Sequence, residues 1–157
     1  MIRSIALMAT VALCAAAVAC GPIGPLPGGR LHGEIGAANQ ADWSFAAEIE
    51  NAQLETRPDK PHSVNTWFVA LGAALYVPTS MILGPKDPTN RGWVANVDTD
   101  PRVRIRLGDP VFARTAVRVE DTSEYERARL ALEAKYGIAV EDRDPERVIW
   151  IYRLDPR

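Results

Sequence analysis

Proline, glycine and Asp-Pro breaks cut the middle of this chain into short pieces. Pro58, Pro61, Gly72, Gly84-Pro85, Asp100-Pro101 and Gly108-Asp109-Pro110 follow one another too closely for a helical bundle. Between the breaks, polar and apolar residues alternate as they do on a strand with one buried face. "RVRIRL" (Arg102–Leu107) is the clearest case: Val103, Ile105 and Leu107 face inward, and Arg102, Arg104 and Arg106 face water or a dimer partner. Short strands in close succession predict a mainly β domain of the α+β class. A small barrel of about six strands suits them, because closure removes exposed sheet edges.

The first strand is expected within Asn51–Pro58, and "RPDKP" is a turn. His62–Leu71 is the second, with Val64, Thr66 and Phe68 on one face and Asn65, Trp67 and Val69 on the other. A tight turn at Leu71-Gly72-Ala73 makes a hairpin with Gly72–Ser80. Met81–Asn90 is a loop, and a short helix follows within Arg91–Asp100, stopped by Asp100-Pro101. After strands at Arg102–Leu107 and Val111–Asp121, Ser123 and Glu126 read as a capping box opening one long helix, Glu124–Tyr136. Tyr125, Ala128, Leu132 and Tyr136 share its apolar face, and Gly137 sits where a C-cap glycine belongs. Arg147–Leu154 closes the chain as a strand, with Val148, Trp150 and Tyr152 opposite Ile149 and Ile151. Ala41–Glu50 has no clear period and reads as a short helix or an irregular cover.

The N-terminus carries a different signal. Arg3 precedes an uncharged apolar run, Ile5–Val18, which is shorter than the ~20 residues that span a bilayer and fits a secretory leader. Ala17-Val18-Ala19-Cys20 resembles a bacterial lipobox, in which the cysteine becomes lipid-modified and N-terminal. The organisation expected is a signal peptide at 1–19, a lipidated Cys20 with a Pro/Gly-rich tether at 20–40, and one domain at 41–157. "GPIGPLPGGRLHG" (Gly21–Gly33) reads as a flexible tether that does not pack. Plain secretion after Ala19 and an uncleaved anchor are the alternatives. With Cys14 removed and Cys20 lipidated, the folded domain would rely on its core without disulfides.

Several functions lose support from the sequence. A formal charge of −2 offers no basic field for nucleic acid. His32 and His62 are the only histidines, so no histidine-based metal site is expected. Asp98/Asp100 and Asp142/Asp144 are read as Asp-Pro turn residues rather than cation ligands. No G-x-S-x-G, Walker loop or H-E-x-x-H occurs.

The run "ETRPDKPHSVNTWFVALGAALYVPTS", the loop with Lys86 and then "RGWVANVDTDPRVRIRLGD" resemble the flavin-binding split β-barrel group. That group includes the pyridoxamine 5′-phosphate oxidase-like proteins and the deazaflavin-dependent nitroreductases. The likeness spans about Leu54 to Tyr136 and includes a W-x-x-N-x-x-x-x-P-x-V segment at Trp93, Asn96, Pro101 and Val103. It implies a split barrel, a homodimer and an FMN or deazaflavin cofactor in a groove. It also implies Thr79, Ser80 and Lys86 at the phosphate end, with Asn65, Thr66 and Trp67 along the ring. Arg91, Trp93 and Asn96 would lie at the cofactor edge, at the head of the short helix. The chain departs from the deazaflavin relatives after Ser80, where "MILGPKDP" replaces a Gly-rich turn. The expected function is a membrane-anchored lipoprotein acting as a flavin- or deazaflavin-dependent oxidoreductase. The alternative is a non-catalytic small-ligand-binding or envelope lipoprotein that keeps only the fold.

Overall fold

The computed structural model describes residues 21–157, so the leader and Cys20 lie outside the described residues. Seven strands form one antiparallel sheet: β1 (Ala52–Thr56), β2 (His62–Thr66), β3 (Val69–Leu71), β4 (Ala74–Pro78), β5 (Arg102–Arg106), β6 (Val111–Arg118) and β7 (Ile151–Pro156). Helix α1 (Gly92–Thr99) lies between β4 and β5, and α2 (Thr122–Tyr136) precedes β7. The strand order is β2-β1-β5-β6-β7-β4-β3, so the sheet stays open and its two edges, β2 and β3, are consecutive in sequence. This is the split barrel expected, with seven strands instead of six.

The extra strand comes from a break at Trp67-Phe68 in the run expected to be continuous. The Phe68 N–H donates to the Tyr136 hydroxyl (2.9 Å), which also bonds the Phe68 carbonyl (3.0 Å). One side chain from α2 thus satisfies the backbone groups that a ladder would have used. The alternation survives the break: Val64 and Phe68 pack into the barrel, and Trp67 and Val69 pack under α2.

Two apolar layers result. The barrel interior holds Leu54, Leu75, Val77, Trp93, Val97, Val103, Ile105, Leu107, Phe112 and Leu154. The second layer, outside β4 and β7, packs Tyr76, Ile149 and Ile151 against Ala128 and Leu132 of α2. Helix α2 starts earlier than the sequence predicts. Asp121, not Ser123, is the N-cap, its carboxylate accepting from the Glu124 N–H, because Asp121 already lies in the extended conformation that a cap requires. The helix ends at Gly137, with φ 65°.

The segment read as a flexible tether packs against the sheet. Gly28 exchanges both backbone hydrogen bonds with Ser63 on the edge strand β2 (2.8 and 2.9 Å), and Val111 N–H donates to the Glu34 carbonyl (2.7 Å). Leu31 is buried, and its N–H donates to the buried Glu55 carboxylate, which Arg104 and Arg30 also approach (3.2 and 3.7 Å). A Cβ on Gly36 would come within 2.0 Å of the Phe112 ring, so that passage requires glycine. Proline and glycine here let a strap lie close to the sheet instead of keeping the chain loose. The arginine row faces outward as expected, yet the strap takes part of it, Arg106 donating to the His32 carbonyl (3.1 Å), while Arg102 pairs with Asp100 at the end of α1 (2.6 Å).

Candidate functional site

At the end of β4, away from the hairpin, the sheet opens into a cleft of about 200 Å³. Asn51, Asn65, Thr66, Trp67, Thr79, Ser80, Met81, Ile82, Leu83 and Arg91 line it. Six of the nine side chains expected to touch a cofactor therefore meet here: Asn65, Thr66, Trp67, Thr79, Ser80 and Arg91. They come from three places. β2 ends in Asn65-Thr66 beside Trp67, the residues after β4 supply Thr79 and Ser80, and Arg91 is the N-cap residue of α1.

Arg91 is the charged residue of the cleft lining. Its Nε donates to Ser80 Oγ (2.7 Å) and its Nη2 to the Leu83 carbonyl (3.2 Å). Among the described residues, no carboxylate lies within salt-bridge distance of Arg91, and Nη1 has no partner. Burial, and then the neighbouring Arg147, lower its pKa, the direction expected of a cation short of counter-charge. Gly84 permits the approach: its φ is 87°, and a Cβ there would come within 2.6 Å of Arg91 Nη2. Arg147 reinforces the loop by donating to the Gly84 and Pro85 carbonyls (3.3 and 3.2 Å).

The remaining walls have defined work. Thr79 Oγ1 accepts from the Trp150 N–H (3.0 Å), which leaves its own proton free to donate into the cleft. Trp67 is stacked on Tyr136, centroids 4.0 Å apart and planes 5° from parallel, so the indole is a rigid flat wall. Asn65 donates to the Gly24 carbonyl of the strap (2.8 Å), leaving its side-chain oxygen as an acceptor.

Three expected residues are elsewhere. Lys86 pairs with Asp144 and Glu146 (2.9 and 2.8 Å) and holds the loop, so its charge is already matched. Trp93 is buried in the barrel, edge-on to Tyr152 at 5.3 Å. Asn96 donates to Thr56 Oγ1 (3.0 Å) and lines a separate hollow with Arg57–Lys60. Sequence reasoning missed Asn51, Met81, Ile82, Leu83 and the supporting Arg147. The signal available for the loop was an apolar Met-Ile-Leu run directly after a strand, where turn residues would be expected.

Open antiparallel sheet, consecutive edge strands and a cleft at their junction define a split-barrel protein of the pyridoxamine 5′-phosphate oxidase-like type. Solved structures agree on this fold. A Listeria innocua protein assigned as a pyridoxamine 5′-phosphate oxidase superposes with TM-score 0.54 at 19% identity, covering 73% of this chain and 89% of that one. A domain-swapped dimer gives TM-score 0.56 at 22% identity, covering 68% and 81%. An F420-H2 dependent reductase gives TM-score 0.50 at 19% identity, covering 68% and 95%. The chain belongs to the F420H(2)-dependent quinone reductase family, whose profile matches residues 59–152. No curated protein matches the chain.

Proposed function

We propose that this protein is a deazaflavin-dependent oxidoreductase, attached to a membrane through lipid on Cys20 after export and working as a homodimer. The observation that carries the cofactor reading is Arg91: a part-buried guanidinium with no carboxylate partner among the described residues, fixed by Ser80 at a cleft. The family match covers every wall of that cleft except Asn51. The donor set fits the acidic end of such a cofactor. Arg91 Nη1, Ser80 and Thr79 would hold oxygens of an acid group, and Asn65 would supply an acceptor beside them. Trp67 would give a planar ring a flat surface, and Met81–Leu83 would keep water from it. About 200 Å³ takes one end of an elongated cofactor, and a partner subunit would enclose the rest. A reduced deazaflavin supplies a hydride for an acceptor, for which the family points to a quinone.

Titrating the purified protein with F420, followed by its fluorescence and absorbance, tests the reading. Saturable binding at one cofactor per chain is expected. A protein that takes up no deazaflavin, or that takes up FMN in its place, would overturn it. The anchor has its own test: Cys20→Ser is expected to move the protein from the membrane to the soluble fraction, and unchanged partitioning would refute lipidation.

A further inference from the structure

Among the described residues, the most exposed large apolar side chains are Leu83 (79%), Ile35 (71%), Ile23 (70%) and Leu26 (66%). Single exposed leucines need no explanation, but three of these four lie in two segments tied to the cleft, one through Asn65 and one through Leu83 itself. Ile23 and Leu26 close a tight turn, each N–H donating to the other's carbonyl (3.1 and 3.0 Å), with Gly24 and Pro25 at its tip. Asn65 holds that turn through the Gly24 carbonyl and also lines the cleft that Ile82 and Leu83 wall on their side. These two exposed apolar segments, the loop after β4 that walls the cleft and the strap turn joined to it through Asn65, make up an apolar rim.

Where the chain leaves the described structure fixes the occupant of this rim. Pro22 is tied to the sheet by Gln53, whose Nε2 donates to its carbonyl (3.3 Å). Cys20 and the uncharged run Ile5–Val18 immediately precede that point. Only Gly21 and Pro22 separate Cys20 from Ile23, and the three steps span at most about 10 Å when fully extended. Because the strap is bound to β2 and β1 through Ser63 and Glu55, the chain between Cys20 and the packed domain is short. A membrane that held Cys20 or the apolar run would lie close to the rim.

We propose that the Ile23–Leu26 turn and the Ile82–Leu83 loop dip into the surface of a lipid bilayer. The mouth of the cleft then faces the membrane, from which an apolar acceptor reaches the cofactor held there. Bilayer contact rests on exposure, chain geometry and the membrane attachment proposed above, and delivery of the acceptor rests on the oxidoreductase reading.

The test places the photo-crosslinking residue p-benzoylphenylalanine at Leu26, Leu83 or Leu71 in the full chain. Leu71 is a control, exposed at the hairpin end of β4 away from Ser80. Each protein is reconstituted in vesicles of phosphatidylethanolamine and phosphatidylglycerol carrying an alkyne-tagged phospholipid. Irradiation is expected to give at least tenfold more lipid adduct at 26 and 83 than at 71. Equal adducts at all three sites, none at 26 and 83, or adducts joining two copies of the chain would overturn the proposal. No cofactor takes part, so a failed F420 titration leaves this result standing. For delivery, Ile23→Ser with Leu26→Ser is expected to raise KM about tenfold for a polyprenyl quinone in the vesicle and leave a tailless quinone unaffected. An equal effect on both quinones, or no turnover with either, would overturn delivery while the crosslinks keep their meaning.

Discussion

Two hollows flank the Trp67-Phe68 break, and they differ in what their cations can do. The larger, about 700 Å³, is walled by Trp43, Ala46, Phe68, Val69, Gly72 and Lys135. The smaller, about 200 Å³, holds Arg91. Burial lowers the pKa of both cations. Lys135 lies over the Phe68 ring at 3.6 Å, a point charge resting on an aromatic face. Arg91 is a planar fork whose Nε and Nη2 are pinned by Ser80 and the Leu83 carbonyl, so the direction of Nη1 is set. Part of the larger hollow's wall, Ala41–Ser44 with Ala46 and Ala47, also lies outside the family match. Volume favours one hollow, and oriented charge favours the other. For recognising an acid group, orientation decides.

Both hollows lean on the last turn of α2, and the largest expected effect strikes there. Glu133 is buried and accepts from Arg143 (2.8 Å) and Arg129 (3.0 Å). Burial alone would raise its pKa, but the hydrogen bonds from Arg143 and Arg129 outweigh that and hold it below the ordinary value. Glu133→Ala leaves two partly buried guanidiniums without this partner, and a loss of about 3 kcal/mol in urea unfolding is expected. The sign of the pH dependence follows. With the folded pKa below the unfolded one, the contribution is complete above the ordinary carboxylate range and disappears as pH falls through the lowered value. The gap between wild type and variant should therefore close on acidification. A gap that persists into strong acid would mean the ion pairs are not its source.

The next effect separates the hollows directly. Arg91→Gln should weaken deazaflavin binding by about 2 kcal/mol, close to 30-fold, the scale of a hydrogen bond to a charged group. Lys135→Gln should leave the same affinity within about twofold, since a site at Arg91 does not involve it. Fluorescence titration of both variants reads the difference, and a reversed outcome would move the cofactor to the larger hollow.

Much of the fold was legible because its determinants are local. The alternation of Val103, Ile105 and Leu107, the Leu71-Gly72-Ala73 turn and the apolar face of α2 are all set by neighbours in sequence. What stayed hidden depends on distant partners. Tyr136 splits the run His62–Leu71 from 68 residues away. Gly28 and Leu31 turn a Pro/Gly-rich stretch into a strap because Ser63 and Glu55 offer unpaired groups, which composition does not reveal. The same distinction holds in the cleft. Thr79, Ser80 and Arg91 surround one loop and were found together, whereas Lys86 was withdrawn by Asp144 and Glu146, some 60 residues further along.

The smallest effect tests the wall that the two hollows share. The Tyr136 hydroxyl lies 2.7 Å from the Glu50 carbonyl and 3.0 Å from that of Phe68, while its ring backs Trp67. Removing the hydroxyl and removing the ring should therefore act on different things. Tyr136→Phe leaves the Phe68 N–H without its acceptor at a partly exposed site, so a stability loss of about 1 kcal/mol is expected. The stack on Trp67 remains in this variant, and deazaflavin affinity should stay within about twofold. Tyr136→Ala takes the backing from the indole as well, and affinity should then fall together with stability. If Tyr136→Phe weakens binding as much as Tyr136→Ala, the cleft depends on where the hydroxyl holds Phe68. The two hollows would then be one mechanical unit divided by that residue.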